Sequence, residues 1–506
     1  MILIVDTLEN LFGVVDMSRS TQFPHKYLIT TVGASMLALC ANGTVLAAGK
    51  PYLVKDINPG GSSAPDYLTK VGNRLFFNAD DGVHGRELWV SDGTEAGTYM
   101  VVDLLAGPNG NALSIRELGG RAFYQASNAS DGLDLWVSDG TPEGTLFLVN
   151  ISDGPWFAQM EALGSLLMFR KQVMSANTDL WRTDGTPQGT VYVKNVEIND
   201  IGETTGPNLI LAGVSPGTAI PGFDLWKTDG TTAGTVLLAD LRGCIFLTQF
   251  MDGVAFNGDG NDTGNEPWVS DGTVPGTRLL KDIFPGSGWS DPNCFAEIGG
   301  LLYFSAFNPV IGREPWRSDG TEEGTVLLAD LNPTGSGGGC EFTNMNGTLF
   351  FRGTHETLGL ELWKSDGTPE GTVLVKDIRP GSQGSRPENL VTAGGRLYFD
   401  ADDGIHGREL WISDGTESGT HLVADIKPGL DPGVSISTTI VNVNGILYFV
   451  GQGDTFAELW AYDSRQDAIP TISSWGFISL ALLFSCAGVV VMHRQRKHCE
   501  MGDLSN

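Results

Sequence analysis

One phrase recurs along the chain at a near-constant interval, and that interval constrains the fold more than any other property of the sequence. "ELWVSDGTEAGT" runs from Glu87 to Thr98. Close copies begin at Asp134, Asp179, Asp224, Glu266, Glu314, Glu361 and Glu409, and a worn ninth, "ELWAYDSRQD", begins at Glu458. Their tryptophans, Trp89, Trp136, Trp181, Trp226, Trp268, Trp316, Trp363, Trp411 and Trp460, stand 42 to 49 residues apart. A single folded core has no use for such a period, whereas a stack or ring of equal units requires one.

One unit, "GGRLYFDADDGIHGRELWISDGTESGTHLVADIKPGLDPG" from Gly394, shows what each copy builds. "RLYFDA", "RELWIS" and "THLVADI" are rich in branched and aromatic residues and are separated by Gly/Asp turns, so they are strands. A fourth, "STTIVNV", follows the "KPGLDPG" loop. Four short strands per unit of this length predict an all-β closed β-propeller of about eight or nine four-stranded blades. A solenoid of hairpins is the competing architecture. Helical repeats are excluded, because no stretch of the array carries a 3.6-residue apolar period. The chain enters the array on "YLVKDI" and "PDYLTKVG", a third and a fourth strand, and leaves it on "ILYFVG" and "AELWAY", a first and a second. The two part-units together make one blade, which is how a ring closes and a solenoid does not.

The motif residues have backbone reasons to recur. The Trp is expected between neighbouring blades. The Asp of "DGT" can accept backbone N–H bonds from the residues after it, and "TPEG" or "TPQG" suits a type I turn followed by a left-handed residue. Pro267 and Pro315 replace the Leu before the Trp, and proline inside a strand implies a sheet edge.

The formal charge is -29. A surface of that sign repels nucleic-acid phosphates and anionic headgroups, which excludes both as main partners. Gly is abundant, at 68 residues, as many tight turns require. Of six cysteines, Cys40, Cys486 and Cys499 lie near the ends. Cys244, Cys294 and Cys340 recur at similar places in three successive units, and their odd number excludes a complete disulfide framework. Buried free thiols are the expectation, with a Cys294–Cys340 bridge between neighbouring units as the alternative.

Candidate chemistry is sparse. "NGDGNDTGNE" sets Asp259, Asn261, Asp262 and Glu266 in one Gly-rich loop, and oxygen ligands so spaced make calcium the one candidate cofactor, against solvated turns. His84 and His406 occupy the same turn of different units and are expected at the surface. No metal-spaced His/Cys set and no nucleophile elbow is present. The copies disagree most over Asn195–Gly222 and Phe284–Cys294, and Trp156 and Trp289 stand outside the repeat position. The expectation is therefore a non-enzymatic binding, adhesion or structural module for an extracellular glycan or protein. A glycosidase-like enzyme working through paired carboxylates is the alternative.

The two ends carry addresses. His25–Lys50 has a basic start, an apolar run and small residues, as in a secretory signal; Ala47 is the expected last residue removed and Met17 the expected true beginning. Trp475–Met492 is apolar without a charge, long enough for a transmembrane helix, and Arg494, Arg496 and Lys497 behind it predict a cytoplasmic tail. The organisation expected is a signal at 1–47, the array at 51–463, a linker and motif at 464–474, the helix at 475–492 and the tail at 493–506.

Two resemblances follow. "ELWxSDGTxxGT…LVKDIxPG", over roughly Pro51 to Asp463, resembles the ELWxxDGT, or hyalin-type, repeat proteins of bacteria, which implies an exported repeat protein with no agreed activity. The hairpin is also similar to the Asp-box hairpins of sialidases, which are structural. The tail motif "IPTISSWG", with Ile469, Pro470, Thr471, Ile472, Trp475 and Gly476, resembles the IPTL-CTERM sorting signals of Gram-negative envelopes, with Ile472 in place of Leu and Ser474 in place of Glu. That resemblance implies recognition by a membrane protease-transpeptidase of the exosortase kind. The chain would first be anchored in the inner membrane and then released or attached at the cell surface; a plain single-span anchor is the alternative.

Overall fold

The structure, a computed structural model, describes residues 49–467 apart from 106–109, 128–131, 153–158, 174–176, 215–221, 261–262, 436–438 and 454–455. Within them, 36 strands form nine four-stranded blades. Blades 1 to 8 occupy residues 66–100, 110–152, 160–195, 197–239, 243–279, 293–327, 340–376 and 388–424, and blade 9 joins residues 441–463 to 52–55. The first strand of each blade contacts the first strands of its two neighbours. Val441–Val443 of blade 9 contacts Asp66–Val71 of blade 1, so these strands line a closed ring.

The middle strands of each blade carry the interblade cores. Arg396–Asp402 and Arg408–Ser413 are buried at nearly every position, because a blade lies between two others and both of its faces are core. Outermost strands such as Val236–Ala239 keep exposed residues. Each interblade core receives one motif tryptophan. Trp89 packs with Phe77 of its own blade and Tyr448 and Leu459 of blade 9. Trp363 packs with Phe351 and with Tyr303 of blade 6, and Trp411 with Phe399 and with Phe350 of blade 7. The expected placement of the tryptophan between blades holds.

Ring closure holds as well, with a different division of strands. Tyr52–Lys55 pairs antiparallel with Ala457–Asp463, and Tyr52 stands opposite Ala461. "PDYLTKVG" supplies no part of that blade. Asp66–Val71 turns directly into Arg74–Asp80, with Val71 opposite Arg74, and forms the innermost strand of blade 1. The closing blade is thus three strands from one end and one from the other, because the two-residue turn ties each innermost strand to the strand after it, not before it. Gly394 and Gly395 make such a turn with φ of 57° and 78°.

The edge expected at Pro267 and Pro315 is corrected. Both sit in third strands, paired on each side. In other blades the pairing to the fourth strand slips at this position, as between Leu362 and Trp363. A missing N–H is tolerated there while the carbonyls of Pro267 and Pro315 accept from Leu280 and Leu328. Among the described residues no helix is long and apolar enough to cross a membrane; Trp475–Met492 lies outside them.

Candidate functional site

The most repeated residues are the least variable in structure. In each of eight hairpins the motif Asp accepts from the amide and hydroxyl of the Thr two residues on; for Asp92 and Thr94 the distances are 2.9 and 2.7 Å. The Ser before and the Thr after close the loop hydroxyl to hydroxyl, as Ser91 and Thr98 do at 2.7 Å. Hydrogen bonds from Thr94 hold the Asp92 carboxyl below its ordinary range. The last Gly of the turn is required, since a Cβ on Gly97 would stand 2.0 Å from Asp92 Oδ1.

The acid that opens the motif has a second task. Glu361 accepts from the amides of Ile378, Arg379 and Ser385 and from the Ser385 hydroxyl, pinning the loop that crosses to the next blade. Glu266 does the same for Ile283, Phe284 and Ser290. Burial pushes its carboxyl up to about 7 despite these bonds. Of the proposed calcium ligands, Glu266 is committed to that loop, Asp259 ends the strand Gly253–Asp259, and Asn261 and Asp262 lie outside the described residues. Among the described residues no group of three or more His, Cys, Asp or Glu could hold a metal.

His84 and His406 are part-exposed, and each Nδ1 stands 2.7 Å from its turn aspartate, Asp81 or Asp403. That hydrogen bond raises both imidazoles. Trp289 is 59% exposed on the loop between blades 5 and 6. Asn195–Gly222 is largely two strands, Glu197–Thr205 and Asn208–Val214, of blade 4. Trp156, Ala47 and the tail from Ile469 to Gly476 lie outside the described residues.

The copies differ where they face the central channel. In six first strands the pairing slips around one non-glycine residue of positive φ: Tyr67, Ser114, Phe246, Cys294, Glu341 and Asn389, at 45° or more. Each costs about 1–3 kcal/mol and persists because its surroundings impose it. These bulges hold one another around the ring. Asp200 of blade 4 accepts from the amides of Phe246 and Leu247 in blade 5, and Glu341 accepts from Leu390 of blade 8.

Blades 6 to 8 carry the densest chemistry of this wall. Cys294 and Cys340 form a disulfide between adjacent first strands, with Cα atoms 5.2 Å apart. The expectation of free thiols is therefore corrected for this pair: the bulge brings Cys294 beside the next strand, which spacing along the chain does not reveal. Cys244 is free and buried. Arg352 bonds Glu388 at 2.6 Å. Arg408 lies between Glu388 and Asp400, and Asn389 donates to Asp400 at 2.8 Å. Burial raises the Asp400 carboxyl to about 6, against the opposing pull of Arg408. Beside the disulfide a cleft of about 360 Å³ is lined by Phe295, Glu341, Phe342 and Arg352 among others.

No protein-family model and no curated protein matches the chain. Solved structures do. A prolyl endopeptidase is 11% identical, with a TM-score of 0.41 over 78% of this chain and 60% of its own. A puromycin hydrolase is 13% identical, with a TM-score of 0.33 over 68% and 59%. The β-propeller domain of the Trilobed protease from Pyrococcus furiosus is 13% identical, with a TM-score of 0.31 over 51% and 78%. The likeness is one of fold. The chain spans about 60% of the length of the first two. The expectation of a chain without enzymatic activity is nonetheless withdrawn, because these similar structures are peptidases and a hydrolase; at such identities they transfer no catalytic residue.

Proposed function

We propose that this propeller is an exported binding module of the cell envelope, delivered by its C-terminal tail, that engages its ligand through the channel wall of blades 6 to 8. The observation that carries the reading is the Cys294–Cys340 disulfide. Such bonds form and persist in oxidising compartments and are rare where thiols are kept reduced. The wall around it is where the repeats abandon their common residues, and function in repeat folds resides in what differs between copies. The site-bearing propeller then acts as an adhesion or scaffolding element, with its sorting signal at Ile469–Gly476 and its anchor at Trp475–Met492.

The strand directions suit that delivery. Tyr52 donates to the carbonyl of Gly93 in a motif hairpin, and a Cβ on Gly49 would stand 2.9 Å from the Gln466 side chain. Both ends of the ring therefore emerge on the hairpin side, and an anchor beyond Asp467 leaves the crossover-loop side facing outward.

The test is to produce the full chain in a Gram-negative host, fractionate the cells and map peptides without reduction. Envelope location with Cys294 and Cys340 linked is expected. A cytoplasmic chain with both thiols reduced would overturn the reading.

A further inference from the structure

We infer that the cleft beside the Cys294–Cys340 disulfide is a saccharide subsite that takes a neutral pyranose of an extracellular glycan. The inference rests on the reading of this wall as a binding surface and names its ligand class.

Five observations converge. The cleft, at about 360 Å³, falls in the range of roughly 300–1,000 Å³ usual for small-ligand sites. Two of its walls are part-exposed phenyl rings, each packed against neighbouring rings. Phe295 lies 5.5 Å from Phe304, and Phe342 lies 5.5 Å from Phe351 and 6.1 Å from Tyr303, centroid to centroid. A held aromatic face accepts the apolar C–H face of a sugar ring.

Glu341 and Arg352 line the same cleft. A carboxylate only accepts hydrogen bonds and a guanidinium only donates them. Neighbouring sugar hydroxyls do both, so one hydroxyl can donate to Glu341 while the next accepts from Arg352. Arg352 has already spent Nη1 on Glu388, and among the described residues Glu341 Oε2 accepts only a long bond from Leu390, 3.4 Å. Each therefore has a polar atom left for a ligand.

Charge sets the sign of the ligand. The guanidinium is neutralised by Glu388, Glu341 adds a negative charge, and the chain carries -29. An anionic sugar or a nucleotide meets repulsion here that a neutral sugar does not. Finally, the disulfide and the left-handed bulges at Cys294 (φ 55°) and Glu341 (φ 60°) hold the cleft open in one shape. Less ordering is then required on binding.

The experiment is calorimetric titration of the purified full chain with cellohexaose, maltohexaose and mannohexaose, with hexagalacturonate as the anionic arm and a mixed peptide pool as the non-sugar arm. Binding of at least one neutral hexaose is expected, weakened tenfold or more by Glu341→Gln and by Phe342→Leu. Glu417→Gln, in an exposed hairpin, should leave it unchanged. Equal melting temperatures for Glu341→Gln and the unaltered chain would separate lost binding from lost folding. Neutral-sugar binding indifferent to both substitutions would overturn the inference, as would a preference for hexagalacturonate or a failure to bind any sugar. Peptide binding that depends on Glu341 would overturn the sugar assignment while leaving the wall as the binding surface.

Discussion

The Ser63 hydroxyl donates a 2.6 Å hydrogen bond to Glu458, 395 residues further along the chain. The amides of Ser63 and Ile57 donate to the same carboxylate at 3.0 and 3.2 Å. Glu361 makes the matching bonds to Ser385 within one continuous stretch. At Glu458 the bonds replace a chain connection and hold the ring shut.

Removing that carboxylate should therefore do more than removing its counterpart. Glu458→Ala and Glu361→Ala each strand buried donors, at about 1–3 kcal/mol per orphaned group, and both should lower the melting temperature. Only Glu458→Ala should make residues 49–63 cleavable by a protease below the melting transition. Equal protection of that segment in the two variants would contradict the latch.

The hairpin makes a prediction about coupling. Gly97→Ala forces a Cβ against Asp92 Oδ1, a clash worth about 1–3 kcal/mol. Asp92→Ala removes the two bonds to Thr94. The double variant should lose less stability than the two singles added together, because deleting the carboxylate also deletes the clash. Urea unfolding of the four proteins measures the difference; additive losses would refute the contact.

The buried acids set an optimum pH. Glu87, Glu266, Glu314 and Glu409 are raised by burial from an ordinary 4.5 to about 7. A raised carboxyl contributes stability that is fully present below 4.5 and is lost as pH climbs through about 7. The hairpin aspartates, such as Asp92 and Asp414, are lowered from 3.8 by their Thr partners, so their contribution is present above that value and is lost as acid is added. The melting temperature should peak near pH 4.5 and fall as the pH climbs to about 7. A steady rise from pH 5 to 8 would show that the glutamates are not desolvated as the structure has them.

The disulfide should be felt as a stability term. Cys294 and Cys340 close a loop of 46 residues, and losing such a closure costs about 2–4 kcal/mol. Reductant should lower the melting temperature of the unaltered chain to that of Cys294→Ala/Cys340→Ala, and Cys244→Ala should respond to reductant as the unaltered chain does. A melting temperature unmoved by reductant would mean that the bond contributes nothing.

The blade, its hairpin and the closing of the ring were legible from the residues because their causes are local and repeated. Asp92 bonds Thr94 two residues away, Ser91 meets Thr98 seven away, and the Trp recurs where each interblade core needs one large ring. The order of strands within the closing blade was less legible, since "PDYLTKVG" and "YLVKDI" look equally like strands. Which of them joined blade 9 was decided by the tight turn after Val71.

The channel wall was settled only in three dimensions. Cys294, Glu341 and Asn389 adopt left-handed backbone without being glycine, and no local pattern announces that. The conformation is imposed by neighbouring blades, through contacts such as Leu390 to Glu341 across 49 residues. The same holds for the Cys294–Cys340 bond, which the sequence offered only as the alternative to free thiols, and for Arg352, Glu388, Arg408 and Asp400, which meet across two blades. A period in the sequence determines the unit because each unit repeats the same short-range bonds. What the units present to the channel depends on how unlike residues at equivalent places meet, and only ring packing brings them together.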